Sequence, residues 1–311
     1  LGNLIQLPER KSLIEEYAEF LSSGKSAGTV RAYVQVVREL TEWIAKRPGS
    51  AGMFRPEQFT KTAMEIYLNE LHKAGYSVSH LNKVKSAASS FAIWLIEEKE
   101  VMSRNPTRRI PLPTEPSLAP RELDSEQRYV LRNLVEKHCD LRGKAIFALG
   151  FWAALRVSDI AWLRMEDVHI GPKIGWIRAG YKGNKYREID VVNEVRRPLA
   201  EYLEYGRKYK ESEYVFTSQR STRLTEDGIE HWFRKLKSLA TKDEWELIKD
   251  IAFHDLRHDF AHRARESGWT LEEISYYLGH ITKKGTPAIS TTARYTQVSR
   301  KQLKDKLRLI K

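Results

Sequence analysis

The sequence predicts a two-domain protein of mainly α structure: an all-helical N-terminal domain, then a larger α+β domain carrying a small antiparallel β element. Three observations predict it. Through the first hundred residues apolar side chains recur at helical three-four spacing. That periodicity stops where Pro106, Pro111, Pro113, Pro116 and Pro120 crowd together, since proline neither continues a helix nor donates to a sheet. Past them, helical patterning resumes and is broken once, by two short runs of strand character. The boundaries follow as residues 1–107 for the helical domain, 108–120 for a stiff proline-rich linker and 121–311 for the second domain.

In chain order, Val30, Tyr33, Val37, Leu40 and Ile44 form the apolar face of one helix. A helix over Ala63–Ala74 ends at Gly75, and Leu81, Val84, Ala88, Phe91 and Leu95 mark another. Lys25, Arg31, Arg38, Lys83 and Lys85 punctuate the polar faces, and Arg104, Arg108 and Arg109 stand where the linker begins. Singly these are solvated charges; together on a small helical domain they can track a phosphate backbone. Leu123–Trp152 reads as mostly helical. Ile174–Ala179 and Lys185–Val192 read as a hairpin joined by a turn rich in Gly180, Gly183 and Asn184. Helical patterning then continues to the end, with no internal repeat and no low-complexity tract.

Composition narrows the function classes. Fifty-three Lys and Arg against 41 Asp and Glu give a formal charge of +12, which favours a polyanionic partner. Cys139 is the only cysteine, so the chain forms no internal disulfide and no cysteine zinc cage, as suits a reducing compartment. The longest apolar run, Ala145–Leu155, is about half a bilayer span. Neither a signal-peptide pattern nor a membrane span is evident, and a cytoplasmic location is expected.

Four segments of the second domain concentrate chemistry. Arg156 falls at a helix break beside a new start at Ser158, where an arginine also serves to cap or bridge surface groups. Lys182 sits in the glycine-flanked hairpin turn and reaches outward, as many merely solvated lysines do. In Phe253-His254-Asp255-Leu256-Arg257-His258, a stripe of Phe253, Leu256, Phe260 and Ala264 is buried, which puts His254 and Arg257 together on an adjacent face. His254 by itself also reads as a satisfied core histidine. Thr270 and Glu273 form a capping box, Gly279 ends that helix and His280 follows directly. Ser290, Thr291 and Thr292 offer caps for a last helix carrying Tyr295, which in isolation reads as a packing residue.

Taken together the sequence resembles the tyrosine recombinase (phage integrase) family. The signatures of that family are an arginine after a helix, a hairpin lysine, His-x-x-Arg, Leu-Gly-His and a final Tyr. Here they stand in order as Arg156, Lys182, His254 with Arg257, His280 in Leu278-Gly279-His280, and Tyr295 in Thr291-Thr292-Ala293-Arg294-Tyr295. Thr29, Tyr33, Trp43, Phe91, Trp94 and Asn105-Pro106 look like its helical core-binding domain, so nearly the whole chain is covered. The layout is that of its simpler, Xer-like and transposon cointegrate resolvases.

The resemblance implies a site-specific recombinase that acts on double-stranded DNA at a specific recombination site. Tyr295 is then the nucleophile, and Arg156 and Arg257 bind the non-bridging phosphate oxygens. His254 is a candidate to take the phenol proton, lost from a group of reference pKa ~10. Lys182 protonates the departing 5′ oxygen and His280 hydrogen-bonds the phosphate. A 3′-phosphotyrosyl intermediate keeps the phosphodiester energy, so no cofactor, neither ATP nor metal, is required. A Holliday junction, a homotetrameric synapse and docking in trans of a C-terminal helix belong to the same expectation. That helix would span Arg300–Lys311, with Leu303, Leu307 and Ile310 on one face.

Three departures stand out. Ala154 replaces the usual Gly, and Asp159 the common Glu. The connection from His280 to Tyr295 is longer than the common pattern by about six residues. The hypothesis is that this segment alters delivery of the nucleophile or contacts DNA through Lys283 and Lys284. Two other functions share parts of the pattern: a type IB topoisomerase, with the same catalytic set, and a DNA-binding accessory protein whose catalytic residues persist unused.

Overall fold

A computed structural model of the chain describes residues 12–113, 122–180, 186–218, 221–282 and 285–295, with residues 294 and 295 described by backbone only. The described residues form two compact units, 12–113 and 122–295.

The first unit is all helical: α1 (Leu13–Ser22), α2 (Ala27–Ala45), α3 (Lys61–Lys73) and α4 (Val78–Glu97). Each helix starts where a hydroxyl side chain accepts a hydrogen bond from a first-turn N–H, at Ser12, Ser26, Thr60 and Ser77. The expected apolar faces of α2 and α4 meet in the core, where Tyr17, Phe91 and Trp94 lie with ring centroids 5.1 to 5.8 Å apart. The capping box of Ser12 and Glu15 was the overlooked signal for α1. Ile110 is buried in this unit with Leu112 packed nearby, so the start of the proline-rich stretch adheres to the helical core.

The second unit holds α5 (Ser125–His138), α6 (Leu141–Phe151), α7 (Val157–Ala161), strands β1 (Val168–Ile170), β2 (Gly175–Ala179) and β3 (Arg187–Asp190), then α8 (Asn193–Glu201), α9 (Glu226–Lys237), α10 (Lys242–Ile248), α11 (Phe253–Glu266), α12 (Leu271–Leu278) and α13 (Ile289–Tyr295). The apolar α6 is buried between α8 and α11. Gly150 makes the second contact possible: a Cβ there would stand 2.6 Å from Phe253 Cζ. The expected hairpin is β2–β3, paired antiparallel with Ile177 opposite Ile189, and β1 adds a third strand in the order β1-β2-β3. Three residues are too few for strand alternation to register in a sequence, which is why β1 went unseen.

Lys237 fixes the approach to α11. Its buried ammonium donates to the carbonyls of Ile248, Lys249 and Ile251 at 3.2, 2.8 and 2.6 Å, clamping the turn that leads into His254. Among the described residues no helix is long and apolar enough to cross a membrane.

Candidate active site

The chain leaves α6 through Ala153 and Ala154, and Ala154 adopts the left-handed region at φ +52°. A residue with a Cβ is strained there by about 1–2 kcal/mol, which is what glycine at this position avoids. The turn frees the Ala154 carbonyl to face α11 and sets Arg156 as the N-cap of α7. Asp159, buried one turn later, accepts from the Arg156 backbone N–H at 3.2 Å, with its Oδ2 also 3.7 Å from Arg156 Nη1. Arg156 keeps 31% of its side chain exposed and is the open cation of the site.

Arg257 is the enclosed one, 1% exposed. Its Nη1 donates to the Ala154 carbonyl at 2.5 Å, and its Nη2 donates to the Leu278 carbonyl and lies 3.2 Å from His280 Nε2. One guanidinium therefore ties together the end of α6, the body of α11 and the Leu278-Gly279-His280 segment. Arg156 and His254 complete the cluster around it. Burial, then the nearby Arg257 charge, holds His254 below the usual histidine value, with Asp255 opposing. His254 is therefore neutral and able to accept a proton.

His280 follows α12, whose Thr270–Glu273 capping box and left-handed Gly279 stand as expected. Its carbonyl accepts from Ser275 Oγ at 2.8 Å and from the Ala288 N–H at 2.6 Å, and its Nδ1 lies 3.0 Å from Thr292 Oγ1. Helix α13 begins at Ile289, so Thr292 is an interior residue rather than the expected cap. The long connection closes on itself: Ile281 pairs with Pro287, and Thr282 N–H donates to the Thr286 carbonyl at 2.8 Å. Its extra length is thus taken up in a hairpin that returns the chain to His280 before α13 begins.

Lys182 and the pair Lys283 and Lys284 lie outside the described residues, as does Arg300–Lys311. Tyr295 is the last residue of α13, which packs on α11 and α12. In the first unit Lys25, Arg31, Lys83 and Arg108 are exposed. Lys85 instead spends its ammonium on the Ile110 carbonyl at 2.6 Å.

The sequence reading missed Arg187. This residue of β3 keeps only 7% of its side chain exposed, donates from Nε to the Tyr277 carbonyl at 2.7 Å and sets Nη2 3.9 Å from Asp159 Oδ2. It braces the back of the site, linking the strand after Lys182 to Asp159 and to α12. Nothing but placement distinguishes it from the other basic residues of so basic a chain. It also explains Gly279 beyond the positive φ: a Cβ there would come 2.7 Å from Arg187 Nη1. Gly279→Ala is expected to cost about 1–2 kcal/mol from the backbone alone, and more from displacing Arg187. Urea denaturation measures it, and a variant as stable as wild type would contradict the fit.

The buried histidines give the fold an acid limit. Burial, then Arg257, pushes His280 down to about 3; burial, then His254, does the same to His258. Unfolded, each takes up a proton near pH 6.5; folded, neither does until the pH is far lower. Their contribution is therefore fully present above that value and is lost as pH falls from 6.5 towards 3. The urea midpoint is expected to stay level above about pH 7 and to decline steadily below it. A midpoint unchanged down to about pH 5 would contradict this.

Comparison with known proteins places both units in a family. The phage integrase family profile matches residues 122–302, and that of the phage integrase N-terminal SAM-like domain matches residues 14–99. The chain is 28% identical over 303 residues to the tyrosine recombinase XerD of Listeria innocua, covering 94% of this chain and 96% of the relative. It is 28% identical over 304 residues to the tyrosine recombinase XerA of Pyrococcus horikoshii, covering 94% and 91%. In fold it resembles the XerH site-specific recombinase in a post-cleavage complex with palindromic difH substrate, at TM-score 0.72 and 15% identity, covering 96% of this chain and 85% of that one. The Tn1549 transposon integrase in complex with transposon right end DNA is similar too, at TM-score 0.70 and 16% identity, covering 96% and 99%. With a helical first unit, an α+β second unit and a family profile spanning more than half its length, the chain belongs to the phage integrase family of tyrosine recombinases.

Proposed function

We propose that this protein is a site-specific recombinase that cleaves and rejoins double-stranded DNA through a 3′-phosphotyrosyl intermediate, with exchange passing through a Holliday junction in a homotetrameric synapse. The observation that carries the reading is the clamped Arg257, fixed against Ala154, Leu278 and His280 beside the open Arg156. Two guanidiniums that never lose their charge are suited to the non-bridging oxygens, where negative charge grows during attack. The Tyr295 phenol attacks phosphorus, and His254, neutral in the folded protein, takes its proton. Lys182 gives a proton to the departing 5′ oxygen, and His280 braces the phosphate. The phosphodiester energy stays in the tyrosyl link, so rejoining is the same step reversed.

The XerH and Tn1549 relatives are described on their own DNA, which supports a specific site as substrate here. Lys25, Arg31, Lys83 and Arg108 are the exposed basic residues of the first unit that would track the backbone, with Lys283 and Lys284 adding contacts from the second. The segment 300–311 would dock on a neighbouring protomer.

Wild-type protein incubated with a library of nicked duplexes is expected to yield adducts that survive denaturation. Peptide mapping should place the nucleotide on the Tyr295 peptide, and sequencing the trapped DNA supplies the site. Exchange between two copies of that site then separates a recombinase from a topoisomerase. Tight binding without any adduct, or an adduct on another residue, would overturn the reading.

A further inference from the structure

We propose that the Thr292 hydroxyl is a positioning group that anchors the His280 ring through Nδ1 and couples docking of the nucleophile-bearing helix to the phosphate-binding residues. The first half stands on geometry alone; its consequence for cleavage rests on the function proposed above.

The His280 ring lies between two partners. Its Nε2 is 3.2 Å from Arg257 Nη2, and its Nδ1 is 3.0 Å from Thr292 Oγ1. A guanidinium only donates, so Nε2 is the acceptor there. The imidazole proton then sits on Nδ1 and is donated to Thr292. The ring has little room to choose otherwise, because the His280 backbone is held from both sides by Ser275 and Ala288. Burial and the surrounding arginines disfavour a second proton, so His280 changes tautomer rather than charge.

Thr292 is fully buried and stands three residues before Tyr295, one turn along α13. Its bond to His280 forms only when α13 is docked. An undocked helix takes the Thr292 hydroxyl away from Nδ1, which loosens the ring on that side. To donate to a phosphate oxygen, His280 needs its proton on Nε2 instead. One N–H bond breaks at Nδ1 and one forms at Nε2, with the proton exchanged through solvent and the ring neutral throughout. The anionic oxygen then accepts from Nε2 and from Arg257 together. The Thr292 hydroxyl turns to donate to the bared Nδ1, since a hydroxyl both accepts and donates. Serine can do the same, whereas valine, of the same shape, can do neither.

The test combines imidazole nitrogen NMR of the free protein with single-turnover cleavage of a trapped-site duplex, for wild type, Thr292→Ser and Thr292→Val. Wild type and T292S are expected to hold His280 with its proton on Nδ1 and hydrogen-bonded there, and T292V to shift the Nδ1 resonance as that hydrogen bond is lost. T292V should cleave about 10- to 100-fold more slowly at unchanged DNA affinity, with T292S recovering most of the rate. Should T292V melt early, Thr292→Ala, which removes the hydroxyl in a residue that favours helix, takes its place. A wild-type His280 protonated on Nε2, or a hydroxyl-less variant with the wild-type Nδ1 resonance or the wild-type rate, would overturn the proposal. A wild type that forms no adduct would sink the functional reading, while the NMR result still decides whether Thr292 governs His280.

Discussion

Replacing Arg257 by lysine is expected to slow strand cleavage by about 100- to 1,000-fold while DNA affinity stays within about threefold. The charge survives the substitution, so the long-range attraction to the backbone is largely kept. What is lost is the fork. Arg257 reaches the Ala154 carbonyl with one nitrogen and the Leu278 carbonyl and His280 with the other, and an ammonium on a flexible stem cannot hold both directions at once. The site then loses a donor fixed in advance of the reaction, and two carbonyls that define its walls are left to find other partners. Single-turnover cleavage and gel-shift affinity, measured side by side, separate the effects. Cleavage by R257K within threefold of wild type would mean that charge alone suffices and that the clamp is merely structural.

Much of this was legible in the sequence because the relevant signals are local. The faces of α2 and α4 follow from spacing, the β2–β3 hairpin from its turn, and α12 from a capping box and a glycine. The order of Arg156, His254, Arg257 and His280 was likewise visible, because each sits beside a helix boundary or on a helical turn. What remained hidden is what depends on contacts between distant segments. Arg187 acquires its role only because β3 runs behind α12 and α7, and Thr292 only because the connecting hairpin brings α13 back to His280. Ala154 is an instructive middle case. The sequence marked it as a departure, but only the backbone revealed that the position calls for a left-handed residue whatever its side chain. The long connection shows the converse: an insertion conspicuous in the sequence is, in space, a hairpin pinched shut at its base.

The second unit should be most sensitive, in stability, to the loss of Asp259. This carboxylate, 0% exposed, accepts from the Leu123 N–H at 3.2 Å, from Arg128 Nε at 2.9 Å and from Arg263 Nε at 2.9 Å. It thereby fastens the approach to α5 onto α11. Arg263 extends the network by donating to the Phe151 carbonyl at the end of α6, its guanidinium 4.3 Å from the centre of the Phe151 ring. Asp259→Leu removes one partner of this cluster and strands two cations, a change that typically costs 3–5 kcal/mol, and about 3 is expected because both arginines retain some contact with water. Asp259→Asn keeps the shape and the acceptor but not the charge, so a loss of about half that size is expected. Urea denaturation of both variants measures these losses. Adding Arg128→Met to Asp259→Leu should recover part of the loss, because the stranded charge is then removed with its partner. The effect should also reach the chemistry, since the end of α6 leads through Ala154 to both Arg156 and Arg257: cleavage by D259N is expected to slow even where the protein remains folded. If D259L were within about 1 kcal/mol of wild type, the network would not be what holds α5, α6 and α11 in register, and the placement of Arg257 would have to rest on its own hydrogen bonds.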